Sequence, residues 1–134
     1  MTAEKALLGV PGEDTLISWF GRMPRFHDAE LREVVLSSKG PNLLRILAWN
    51  MTDRTDEKGY FILEKHALVT ITLDAVTSVN LSDFDLPGII FDMAVSRLGD
   101  EFELTWTGSY GVAGTIRAKN LSFALEPGKV ESSP

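Results

Sequence analysis

The sequence contains no cysteine. Disulfides, thiolate zinc sites, iron–sulfur clusters and cysteine nucleophiles are excluded together. Histidine is nearly as scarce, with His27 and His66 the only two. Zinc enzymes that use imidazole ligands usually draw on two or three of them plus a carboxylate. A metal centre here would have to combine His27 and His66 with Asp28 and Glu30. If residues 27–31 are extended, His27 points to one side and Asp28 and Glu30 to the other. The reading is therefore that the protein carries no metal and no cofactor. Long apolar runs are also missing. The first, Ala6 to Leu8, is interrupted by Gly9 and Pro11, unlike the core of a signal peptide. No stretch approaches the roughly 20 apolar residues of a membrane-crossing helix. The expectation is a cytoplasmic protein with no membrane partner.

Positive charge is in deficit. Thirteen Lys and Arg face nineteen Asp and Glu, a net charge of −6. The imbalance is concentrated in the second half, since residues 1–67 sum to −1 and residues 68–134 to −5. A net acidic surface repels nucleic acid and attracts basic partners. No basic–aromatic platform for single strands is present, so no nucleic-acid partner is expected.

What is present suits one globular domain. The 134 residues are 44% apolar and 24% charged, within the usual range. Residues 1–12 read as a flexible N-terminal arm, 13–126 as a single β-rich domain and 127–134 as a disordered tail. Leu16, Ile17 and Phe20 share a helical face over Glu13–Phe20, closed by Gly21 and Pro24. Strand patterns then take over at 29–37, 42–50, 66–75, 76–82, 89–97 and 101–107, and 112–118 with 120–125 form a last strand or strand pair, with a short strand or lead-in at 60–63 and a polar loop at 51–59. Ala67, Val69, Ile71 and Leu73 share one face. Phe102, Leu104 and Trp106 form the cleanest alternation. In 89–97, Ile89, Phe91, Met93 and Val95 are expected on the face opposite Ile90, Asp92, Ala94 and Ser96. The fold class is α+β, mainly β: an antiparallel curved sheet or sandwich of about seven or eight strands with one short N-terminal helix.

Catalytic patterns are few. Thr107 to Gly111 (TGSYG) lacks the strand-to-helix context of a nucleophile elbow and reads as a glycine-rich turn. Asp83, Asp85 and Gly88 match an EF-hand loop, but Pro87 and Ala94 stand where ligand positions belong. Asp28 and Glu30 could act as a general acid/base pair. The competing account is structural: Glu30 pairs with Arg32, Asp28 accepts backbone N–H bonds at the turn, Phe26 anchors in the core, and His27 packs on the sheet while donating a hydrogen bond. No residue is assigned a catalytic role. Trp19, Trp49 and Trp106 each sit in an apolar pattern and read as core.

The most distinctive stretch is ISWFGRMPRFHDAELREVVL, from Ile17 to Leu36. It resembles the opening of the immunity protein 50 family, small bacterial proteins associated with polymorphic-toxin systems, whose members begin close to "GxxPxFHDAE". HALVTITLDAV and SYGVAGTIRAKNLSF resemble later strands of that family. Phe26, His27, Asp28 and Glu30 carry the match. The resemblance implies a non-catalytic intracellular protein that binds and neutralises a cognate toxin. Toxins of this kind are often nucleases with basic clefts, so the candidate partner-binding acidic set is Asp83, Asp85, Asp92, Asp100, Glu101 and Glu103. The alternatives are a small-ligand-binding or metal-assisted enzyme using the His27, Asp28 and Glu30 region, and a structural oligomer built on an exposed sheet edge.

Overall fold

The computed structural model describes residues 9–128. One helix, α1 (Glu13–Phe20), precedes six strands: β1 (Glu30–Val35), β2 (Asn42–Thr55), β3 (Phe61–Ser82), β4 (Gly88–Leu98), β5 (Glu101–Tyr110) and β6 (Ala113–Pro127). Every pairing is antiparallel, in the order β1-β2-β3-β6-β5-β4. This is the mainly-β curved sheet with one short helix that the patterns predict. The sheet curls until its first and last strands meet at a narrow seam, Glu30 opposite Ile89 and Leu31 opposite Gly88.

The strands are fewer and longer than the patterns suggest. β3 runs unbroken through the expected junction at 75–76. It takes up the irregularity as a left-handed residue, Ala75 at φ 56°, and a register shift between Val76 and Ser78. Such bulges bend a strand without ending it. β2 and β3 also extend toward each other, so the expected 51–59 loop shrinks to residues 56–60. There the Asp56 carboxylate accepts the backbone N–H groups of Lys58 at 2.9 Å and Tyr60 at 3.0 Å.

The interior is filled by alternate residues of the strands. Ala67, Val69, Ile71 and Leu73 are buried, as are Leu44, Ile46, Phe102, Leu104, Trp106, Ile116 and Phe123. Each buried Leu or Ile contributes about 2 kcal/mol. Trp106 donates its indole N–H to the Val112 carbonyl at 2.9 Å, so its burial leaves no polar atom unsatisfied. Trp19 is half-buried against this core, its indole N–H donated to the Lys65 carbonyl at 2.9 Å.

α1 covers one end. Leu16 and Phe20 are buried, and Gly21, at φ 87°, closes the helix by donating to the Ile17 carbonyl. The N-cap is Gly12, and Asp14 lies in the first turn, where a negative charge favours the helix dipole. Gly12 is tightly packed: a Cβ there would lie 1.9 Å from the Phe123 carbonyl oxygen. Of the expected arm, residues 9–12 are docked. Val10 is buried, and the Phe123 N–H donates to the Pro11 carbonyl at 2.9 Å. Residues 1–8 lie outside the described residues. β6 carries order to Pro127, and the Gly128 N–H donates to the His66 carbonyl. Residues 129–134 of the expected tail also lie outside the described residues.

Candidate binding face around the seam

The FHDAE stretch stitches the sheet closed. β1 and β4 pair directly over only two residues, and the segment just before β1 prolongs that contact. The Asp28 N–H donates to the Ile90 carbonyl at 2.8 Å, the Ile90 N–H to Ala29 at 2.9 Å, and the Met93 N–H to Arg25 at 3.0 Å. The path is irregular because Phe26 and Asp28 are both left-handed, at φ 59° and 67°. Left-handed non-glycine residues cost roughly 1–2 kcal/mol each. The strain is offset by what it positions: Phe26 and Ala29 point into the core, while His27 points out. Phe26 meets Phe20 edge-on with ring centroids 6.5 Å apart.

β4 answers with a bulge. Ile90 pairs with Gly108 and Asp92 with Thr107, so Phe91 has no partner of its own on β5. The strict alternation expected for 89–97 is broken at this point. Ile90 and Met93 are both buried, and the two residues between them face outward. Phe91 is 55% exposed.

His27 lies across Phe91, ring centroids 5.4 Å apart and nearly perpendicular. Its Nδ1 is 2.7 Å from the Phe91 carbonyl oxygen. A carbonyl only accepts, so Nδ1 carries the proton. This is the expected packed, donating histidine. Its other nitrogen, Nε2, is 3.5 Å from the Asp28 carboxylate. The Asp28 side chain thus meets His27 instead of the backbone N–H groups expected for it. Arg25 grips Asp92 with two hydrogen bonds, Nε to Oδ1 at 2.7 Å and Nη2 to Oδ2 at 2.6 Å. Those bonds hold the Asp92 carboxyl below its ordinary pKa and raise that of Arg25. Glu30 pairs with Arg32 at 2.6 Å, as expected.

Along the open end of the β4–β5 hairpin the face continues. Tyr110 stands opposite Ile89 and is 59% exposed. Its hydroxyl donates to Asp85 Oδ2 at 2.7 Å, which holds the phenol above its ordinary pKa. Phe84, next to Asp85, is 67% exposed. His27, Phe91, Tyr110 and Phe84 thus lie on or beside the hairpin's open end, with Asp83, Asp85 and Asp92 interspersed.

The six acidic residues read from the sequence do not share one patch. Asp83 and Asp85 flank the open end of the hairpin, whereas Asp100 and Glu101 sit at its turn, one length of β4 away, about 30 Å. Asp100 meets Lys119 at 3.3 Å, which lowers its pKa, and Glu103 meets Arg117 at 3.1 Å. His66 is far from His27 in strand order. It lies on β3, which pairs with neither β4 nor β1, and its ring is 5.7 Å from Trp49. Among the described residues no group of three or more His, Asp and Glu is placed to hold a metal ion. The exposed aromatics Phe84, Phe91 and Tyr110 were not among the residues singled out from the sequence. A period-two pattern assigns Phe91 a fixed face, and only the bulge puts Phe91 and Asp92 outside together.

No family model matches the chain, and neither a curated protein nor a solved structure matches it. The likeness to the immunity protein 50 family rests on the residues quoted for it.

Proposed function

We propose that this chain is a non-catalytic binding protein that captures a basic partner protein, with a toxin neutralised by its immunity protein as the concrete case. The observation that carries the reading is the outward aromatic set Phe91, Tyr110 and Phe84, set beside Asp83 and Asp85, while the Asp92 carboxylate is taken up by Arg25. Exposed aromatic side chains grouped on one face mark interaction sites more often than isolated ones do. Phe and Tyr supply large contact area at low conformational cost. The carboxylates around them favour a cationic counterpart and speed its approach. The resemblance over Ile17 to Leu36 supports the same reading and adds an intracellular setting.

Two side chains on this face are already held. His27 fixes Phe91 from one side, and Asp85 fixes the Tyr110 ring. A surface whose anchors are ordered before contact loses less entropy on binding. The test is co-expression with the product of the large reading frame expected beside this gene. Growth should be restored and the two proteins should purify together, with association slowing as salt is added. Absence of both rescue and complex would overturn the proposal.

A further inference from the structure

We propose that the turn Asp83–Phe84–Asp85, together with Tyr110, receives an arginine side chain of the basic partner, and that Asp92, Asp100 and Glu103 take no part in drawing that partner in. The inference rests on the reading above and deepens it. It names the groups that recognise the partner and the chemistry they recognise.

Charge separates the acidic residues into two kinds. Asp92 is held by Arg25 at 2.6 Å, Glu103 by Arg117 at 3.1 Å and Asp100 by Lys119 at 3.3 Å. An ion pair presents a dipole, whose field decays faster than that of a lone charge. Among the described residues, Asp83, Asp85 and Glu101 meet no cation. The bond that Asp85 accepts comes from the neutral Tyr110 hydroxyl, so the pair keeps its full negative charge.

Exposed rings then single out one end of the hairpin. Beside Glu101 the ring is Phe102, which is buried and covered by Arg97, 4.9 Å from its centroid. At the open end, Asp83 and Asp85 flank the exposed Phe84, and Asp85 reaches the exposed Tyr110. Of the six acidic residues, only these two combine uncompensated charge with exposed rings.

The turn is also fixed in place. The Val112 N–H donates to the Asp85 carbonyl at 3.2 Å, and Leu86 packs against the core. Gly111 approaches so closely that a Cβ there would lie 2.7 Å from the same carbonyl oxygen. Arginine is the side chain that suits fixed rings beside carboxylates. Its planar guanidinium lies flat on an aromatic face and forks to a carboxylate, whereas the lysine ammonium is compact and more strongly hydrated.

Three blocked tripeptides test this: Gly-Arg-Gly, Gly-Lys-Gly and Gly-citrulline-Gly, titrated at millimolar concentration into the isotope-labelled full chain at low salt. The arginine peptide should shift the NMR amide signals of residues 83–85 and 110. The lysine peptide should shift them less, and the uncharged citrulline peptide should leave them in place. Asp83→Asn/Asp85→Asn should weaken the arginine peptide roughly fivefold or more, the worth of two exposed charge contacts. Removing the neutral pair whole, as Arg25→Gln/Asp92→Asn, should leave its binding unchanged. The dispersion of each variant's spectrum reports its folding. This inference and the reading it rests on fail separately. Arginine binding at the turn without a complex with the adjoining gene's product refutes that reading alone. The inference itself is overturned if the arginine peptide leaves the turn unshifted. It is equally overturned if the citrulline peptide matches the arginine one, or if shifts at Asp74, Glu101 and Glu126 equal those at the turn.

Discussion

His27 Nδ1 donates a 2.7 Å hydrogen bond to the Phe91 carbonyl, and the two rings meet edge to face. One contact ties the residue before the seam to the bulge on β4. It holds an exposed aromatic ring in place and adds a cross-link where β1 and β4 pair over only two residues. His27→Ala is expected to lower unfolding stability by about 1 kcal/mol, the usual worth of one such bond. Urea denaturation reads the change directly, and an unaltered midpoint would show the bond to be idle.

Phe26 is the other half of that device. Its ring is buried against Phe20 while its backbone is left-handed. Phe26→Ala should cost about 3–5 kcal/mol, the range for a large aromatic removed from a core. The loss should be read by chemical unfolding and should exceed that of His27→Ala. Equal losses would mean that the seam and not the core limits stability.

The Arg25–Asp92 pair gives a pH signature. Hydrogen bonding from Arg25 lowers the folded Asp92 pKa. Its contribution is therefore complete above the ordinary carboxylate value and lost as pH falls through the lowered one. With side chains 64% and 40% exposed, solvent screening limits the pair to about 0.5 kcal/mol. Melting curves of wild type and Asp92→Asn should differ slightly near neutrality and converge as pH falls through the lowered Asp92 pKa. A gap that widens in acid would refute the assignment.

Tyr110 can be followed by its own absorbance. Its bond to Asp85 favours the neutral phenol and raises its pKa. In a Tyr60→Phe background, which leaves Tyr110 as the only tyrosine, Asp85→Asn should move the phenolate transition to lower pH. An unchanged titration would mean that the bond does not persist in solution.

Much of the fold is legible in the residue order. The faces of β3 and β5 follow from strict alternation at Ala67 to Leu73 and Phe102 to Trp106. α1 follows from Leu16, Phe20 and Gly21. The binding face is not legible in the same way. Its geometry depends on left-handed backbone at Phe26 and Asp28 and on a bulge at Phe91. Phe26 and Phe91 announce neither, and Asp28 is a residue type that tolerates left-handed backbone without requiring it. Charge counting found the acidic residues, but Asp100 and Glu103 meet Lys119 and Arg117, which only the strand register brings alongside. Edge status is likewise a property of register: Ala75 to Ser82 looks like any interior strand until β2 is seen to stop short of it.

The central claim is that the aromatic and acidic face at the open end of the β4–β5 hairpin binds a basic protein. Titration calorimetry tests it most directly, with the purified chain and the product of the adjoining reading frame. The wild type should form a tight one-to-one complex. Phe91→Ala/Tyr110→Ala should weaken it by roughly 2 kcal/mol or more, as loss of buried aromatic anchors does, with the melting temperature little changed. A folded double variant that binds with wild-type affinity would contradict the account.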